Sequence, residues 1–193
     1  MSMDPLMKLF GSQARVKLLR LFLFNETESY TLGQVAHRAK VSKDAARREL
    51  NLLVNIKLLK KKKGKGRDGT LFSVNQRFVH YESLRAFFRT STKVSDTHIN
   101  NKLRRAGSMR LIALTGSFTG VPEPKVDLLV VGDRLEDRAL NAVVHELEAE
   151  LGRELRYAAF TTEEFRYRIS VYDRLLRDVF EYPHRFVLDK IGM

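Results

Sequence analysis

"LGQVAHRAKVSKDAARRELNLLVNIKLLKKK", residues 32–62, decides how this chain is read. Thr31 precedes the stretch as a cap for a short helix, expected over Leu32–Ala39, on which Leu32, Val35 and Ala36 share a face. Val41 makes a tight connection, and Ser42 is placed to cap a longer helix beginning at Lys43. On that helix Ala46, Leu50 and Leu53 recur at spacings of four and three, so one stripe is apolar. Lys43, Arg47 and Asn51 lie along another face, with Arg48 beside them.

A short helix, a tight turn and a longer helix with a basic face is the helix-turn-helix pattern. The residue types suit that geometry. The apolar stripe packs the second helix on the first, and the opposite side is left to enter a major groove. Arginine and asparagine fit there because they bond bidentately to guanine and adenine edges.

Working outward, "SQARVKLLRLFLFN" (residues 12–25) places Val16, Leu19 and Leu23, with Leu18 and Phe22, at helical spacing behind a Ser12 cap. On the other side, "IKLLKKKKGKGRDGTLFSVN" (residues 56–75) reads as two strands, Leu58–Lys63 and Thr70–Val74, joined by a glycine-rich loop. Lys60, Lys61, Lys62, Lys63, Lys65 and Arg67 fall on that loop and its shoulders.

A helix-turn-helix followed by a basic hairpin resembles the winged-helix domain of bacterial and archaeal transcriptional regulators, over roughly residues 8–78. The resemblance implies that Ser42, Lys43, Arg47, Arg48 and Asn51 serve a recognition helix, and that the lysines and Arg67 serve a wing on phosphate or in the minor groove. Lys57 departs from the pattern, because such helices often end on glycine. A left-handed cap is costlier for lysine, so a different helix end is expected there.

Charge supports a polyanionic partner. Residues 1–95 carry 20 Lys+Arg against 7 Asp+Glu, a net +13, whereas residues 96–193 carry 15 against 16, a net −1. A basic half joined to a neutral half suggests a division of labour. The chain has no cysteine, which excludes disulfides, zinc–thiolate sites and thiolate catalysis. No apolar run reaches the roughly 18–20 residues that cross a bilayer, and "MSMDPLMKLF" does not read as a signal peptide. A cytoplasmic, nucleoid-associated protein without a membrane partner is expected. The five histidines (37, 80, 98, 145, 184) form no close pair suited to a metal.

After the hairpin, Phe78, Tyr81, Leu84, Phe87 and Phe88 give one apolar face to an expected helix. That helix is open to two uses, a subunit contact or packing on the chain's own second domain. The neutral half then reads as strand "MRLIALTGS", strand "KVDLLVVGD", helix "LEDRALNAVVHELEAELG", strand "LRYAAFT", two helices and the strand "RFVLD".

At its Gly-Ser turn and following strand, this half resembles the minimal nucleotidyltransferase domain of the polymerase-beta-like superfamily, over about residues 97–190. Members hold nucleotide phosphates on the Gly-Ser and place two acids, two residues apart, on the next strand for a metal pair. Gly116 and Ser117 match the turn and Asp127 the second acid, but Lys125 stands where the first belongs. The third strand brings no acid in its interior. A lysine two residues from a lone carboxylate opposes the binding of two divalent ions. Gly116, Ser117, Lys125 and Asp127 are therefore read as a vestigial nucleotide site, with no catalytic residue, metal or cofactor expected.

The expected fold class is mixed α+β. A winged helix-turn-helix domain covers residues 1–78, a connecting helix and linker 79–96, and a small α/β nucleotidyltransferase-like domain 97–193. The expected function is transcription regulation on double-stranded DNA by a homodimer. The C-terminal domain is left to dimerisation, a protein partner or a nucleotide ligand. Two alternatives stay open: an active nucleotidyltransferase targeted by a basic domain, and an adaptor that binds double-stranded nucleic acid without sequence preference.

Overall fold

The computed structural model describes residues 5–64, 69–91, 94–121 and 124–193. Its described residues form a mixed α+β fold with nine α-helices, a three-stranded antiparallel sheet and a four-stranded mixed sheet. No helix among them is long and apolar enough to cross a membrane. The chain divides into two compact units, Met1–Lys93 with Glu146–Arg153, and Val94–His145 with Glu154–Met193.

In the first unit α1 (Pro5–Leu9) leads to α2 (Gln13–Phe24), whose N-terminus is capped by Ser12 accepting from the Arg15 amide. Its spacing predicts an apolar face, yet every residue from Val16 to Leu23 is buried. The reason is its position, since α2 touches α1, two further helices and a strand of the sheet. A helix covered from several directions is buried all round, and its cations then need partners, as Arg20 has in the Glu150 carbonyl at 2.9 Å.

Strand β1 (Tyr30–Thr31) runs into α3 (Leu32–Arg38), where Thr31 and Gln34 form a reciprocal capping box. Ser42 caps α4 (Lys43–Asn55) by accepting from the Ala45 amide, and Ala46, Leu50 and Leu53 are buried as their spacing predicts. Strands β2 (Leu59–Lys63) and β3 (Thr70–Val74) pair antiparallel, Leu59 opposite Val74 and Lys63 opposite Thr70. Because β1 pairs with β3 on its other side, β2 is an edge strand.

Lys57 does not change the helix end. It adopts φ +65 and completes the cap itself, with its own amide on the Val54 carbonyl at 2.9 Å and the Leu58 amide on the Leu53 carbonyl at 3.0 Å. The Asn75 side chain donates to the Lys57 carbonyl at 2.8 Å and holds the turn. Burial of Leu53 and Leu58 together supplies the apolar contact that makes the strained residue tolerable. Lys40, at φ +46, closes α3 in the same way through the Val41 amide on Ala36.

Residues expected as a connector form α5 (Tyr81–Ser91). Its apolar face is spent inside the first unit, where Tyr81 and Phe88 join the core and Phe88 lies 5.4 Å from Phe10. Tyr81 also donates to Glu26 at 2.6 Å, and burial together with that carboxylate pushes its phenol up to about 12.

The second unit begins with α6 (Asp96–Leu103), a helix the sequence reading passes over, and a 3-10 turn. Strand β4 (Ser108–Leu114), a turn at Gly116–Phe118, and β5 (Leu128–Asp133) follow, then α7 (Asp137–Leu151), whose residues from Glu146 on belong to the first unit, β6 (Tyr157–Phe160), α8 (Thr162–Ser170), α9 (Arg174–Glu181) and β7 (Arg185–Asp189). The sheet order is β6-β5-β4-β7, with β5 and β6 parallel and the other pairs antiparallel. Strands β4 and β5 are apolar on both faces because both are covered. Leu111, Ala113, Leu129 and Val131 pack with Phe165 of α8 and Leu176 and Val179 of α9.

Candidate nucleic-acid interface

The outer side of α4 follows from its buried one. Opposite Ala46, Leu50 and Leu53, at the three- and four-residue spacing of a helix, lie Asp44, Arg48, Asn51 and Asn55, all exposed. Arg47 and Lys43 flank that row on one side. Leu52 and Ile56 flank it on the other, 37% and 49% exposed, and with Arg48, Asn51 and Asn55 they line a shallow depression. The face thus has a polar centre, a basic margin and an apolar margin.

Its charges are not equivalent. Arg47 donates through Nη1 to Asp44 Oδ1 at 2.7 Å, one helical turn away. Arg48 makes no ion pair among the described residues and stands nearer the centre of the face. Asp44 lies in the first turn, where the helix dipole favours a negative charge. Ser42 is fixed as the cap, so its hydroxyl already accepts one backbone N–H.

In the hairpin, Lys60, Lys61, Lys62 and Lys63 are all exposed. Side chains alternate along a strand, so Lys60 and Lys62 point to one face of the sheet and Lys61 and Lys63 to the other. Four cations on an edge strand also discourage pairing with a foreign strand. Lys65 and Arg67 lie outside the described residues.

Of the four residues expected to form a vestigial site, three are drawn together around Asp127. Asp127 precedes β5 and is 1% exposed. Its Oδ1 accepts from the Ser117 amide at 2.7 Å and from Arg156 Nη2 at 3.1 Å. Its Oδ2 accepts from the Arg156 amide and Nε, both at 3.0 Å. Burial pushes this carboxyl up, but the guanidinium and the amides outweigh it and hold the pKa below the usual carboxylate range. The same bond holds Arg156 above its ordinary value.

Gly116 makes this closeness feasible. It takes φ +51, and a Cβ there would fall 2.4 Å from Asp127 Oδ1. The Gly-Ser turn therefore wraps the chain's own carboxylate, and the Ser117 amide that the resemblance assigns to phosphate is bonded to Asp127. Lys125 does not join them. Its side chain is exposed and its amide donates to Asp178 at 2.7 Å.

No family model, no curated protein and no solved structure matches this chain.

These residues do not fit a pair of divalent ions. Asp127 spends both oxygens on four N–H donors and already has a cation against it, and Asp178 accepts from the Lys125 amide, whereas a metal pair needs several free anionic oxygens. Among the described residues no group of three or more His, Asp or Glu is placed to hold a metal.

Sequence reasoning missed three residues. Asp44 and Asn55 share the exposed face, and the spacing 44, 48, 51, 55 carried that signal. Arg156 carried none, because its partner lies 29 positions earlier and only the β5–β6 pairing brings the two together.

Proposed function

We propose that this chain is a sequence-specific regulator that binds double-stranded DNA through a winged helix-turn-helix in its first unit. The observation that carries the reading is the exposed face of α4, with Arg47, Arg48, Asn51 and Asn55, in the same compact unit as four exposed lysines on β2. The order α2, β1, α3, α4, β2, β3, with β2 and β3 as the hairpin, supports the winged-helix comparison. The two cation sets suit two tasks. Arginine and asparagine on a helix read base edges, and a lysine hairpin binds phosphate without regard to sequence. The protein would act as a cytoplasmic, nucleoid-associated dimer, because two recognition helices match two half-sites.

The second unit, on this reading, keeps a nucleotidyltransferase-like scaffold without its chemistry and serves dimerisation or a partner. The Arg156–Asp127 pair supports that assignment, since it occupies the carboxylate the reaction would need.

Selection of bound fragments from a random duplex library tests the proposal. An enriched motif with two related half-sites is expected. A library that remains random after repeated rounds, at undiminished affinity, favours the non-specific adaptor to which the lysines alone would suffice. Transfer of label from a nucleotide in the presence of magnesium, lost on Asp127→Ala, favours the enzyme.

A further inference from the structure

A carboxylate is an odd group to place at the centre of a surface that meets a polyanion. Asp44 stands there, its side chain 78% exposed, on the same face as Arg48 and Asn51. An ion pair so exposed contributes little to folding, so the bond constrains Arg47 more than it stabilises the helix. The bond engages only Nη1 of Arg47. The Nε–Nη2 edge of that guanidinium is left free, with two N–H groups side by side. Arg156 grips Asp127 through that very edge, so the chain shows what it does when two acceptors face it. In a major groove the matching pair of acceptors is O6 and N7 of guanine.

Building on the duplex-binding reading above, we propose that Asp44 is a specificity-determining residue, which positions Arg47 to read guanine and penalises duplexes that offer no such partner. The mechanism has two parts. Holding Nη1 removes rotamer freedom from Arg47 before the duplex arrives, so less is lost on making a bidentate contact. The carboxylate also repels phosphates and base acceptors, and it does so on every sequence. A correct guanine offsets that repulsion through the oriented arginine, and a wrong base does not. Asp44 is thus expected to lower overall affinity and raise discrimination.

The test measures dissociation constants of the full-length protein for its selected duplex and for a shuffled duplex of the same composition, at one salt concentration. Asp44→Asn removes the charge but keeps the shape. It should tighten the shuffled duplex by about three- to ten-fold and cut the discrimination ratio by about ten-fold. Asp44→Glu, which keeps the charge within reach of Arg47, should retain most of the ratio. The double variant with Arg47→Ala should discriminate no worse than Arg47→Ala alone, because the two residues act as one unit.

An unchanged ratio in Asp44→Asn would reduce Asp44 to a helix-dipole residue and overturn the inference, as would losses that simply add in the double variant. If the unaltered protein itself fails to tell the two duplexes apart, the duplex-reading assignment fails instead, a separate and prior result. Thermal unfolding of each variant shows whether the helix is intact, and a helix-dipole role alone would move that temperature without moving the ratio.

Discussion

Arg156 holds Asp127 by two parallel bonds, Nε to Oδ2 at 3.0 Å and Nη2 to Oδ1 at 3.1 Å, with the acid buried and the guanidinium half exposed. A carboxylate in this position can serve a metal or an arginine, and here it serves an arginine.

Arg156→Ala therefore leaves a buried charge supported only by Ser117 and the backbone amide of residue 156. A loss of about 1.5–3 kcal/mol is expected, the usual range for hydrogen bonds to a charged group. Asp127→Asn should cost a similar amount, because its amide turns an N–H toward N–H donors. Since folding lowers the Asp127 pKa, its contribution is fully present above about pH 4 and is lost as the pH falls through the depressed folded value. Urea unfolding at neutral and acid pH checks both statements. The gap between the protein and Asp127→Asn should narrow in acid.

Tyr81 gives the opposite case. Its folded pKa is raised to about 12 by burial and by Glu26, so its share of stability is present below about pH 10 and disappears as the pH rises through the folded value. An ultraviolet titration of tyrosinate should show a late step that is lost in Tyr81→Phe.

Lys40 and Lys57 both sit in the left-handed region at helix ends. Replacing either with glycine relieves the clash of Cβ with the backbone, partly offset by the greater freedom of unfolded glycine. A net stabilisation of about 0.5–1 kcal/mol per site is expected, read as a higher urea midpoint at constant slope. A lower midpoint would contradict the assigned caps.

Much of the fold was legible because local chemistry and tertiary packing agree. Thr31, Ser42 and Ser12 cap the helices their positions suggested, and Ala46, Leu50 and Leu53 are buried as their spacing implied. Three features were hidden for physical reasons. A two-residue strand such as β1 has no periodicity to detect, and it exists only through pairing with β3. The all-round burial of α2 is decided by its neighbours, so Lys17 and Arg20, which as charged residues read as exposed, are buried. Arg156 reaches Asp127 only through parallel pairing of β5 and β6, a long-range event that no local pattern encodes. The candidate interface was half legible: helical spacing named Lys43, Arg47, Arg48 and Asn51 behind the Ser42 cap, and the burial of the opposite face added Asp44 and Asn55.

On the proposed reading, the β2–β3 hairpin and α4 should separate cleanly in binding. Neutralising Lys60–Lys63 to glutamine should weaken every duplex alike and flatten the salt dependence, by about 0.9 in slope for each phosphate that is no longer neutralised. Arg47→Ala and Arg48→Ala should instead reduce preference among sequences, at about 1–3 kcal/mol for each good bidentate pairing with a base. Equal weakening on all sequences from the arginine changes would move base reading away from α4.

The most direct measurement compares the affinity of the full-length chain for its enriched duplex with that for a shuffled duplex at physiological salt. The account predicts that the enriched duplex binds tighter by about 1,000-fold or more, the lower bound of sequence-specific recognition. Equal affinity for the two, with the same steep salt slope, would contradict it.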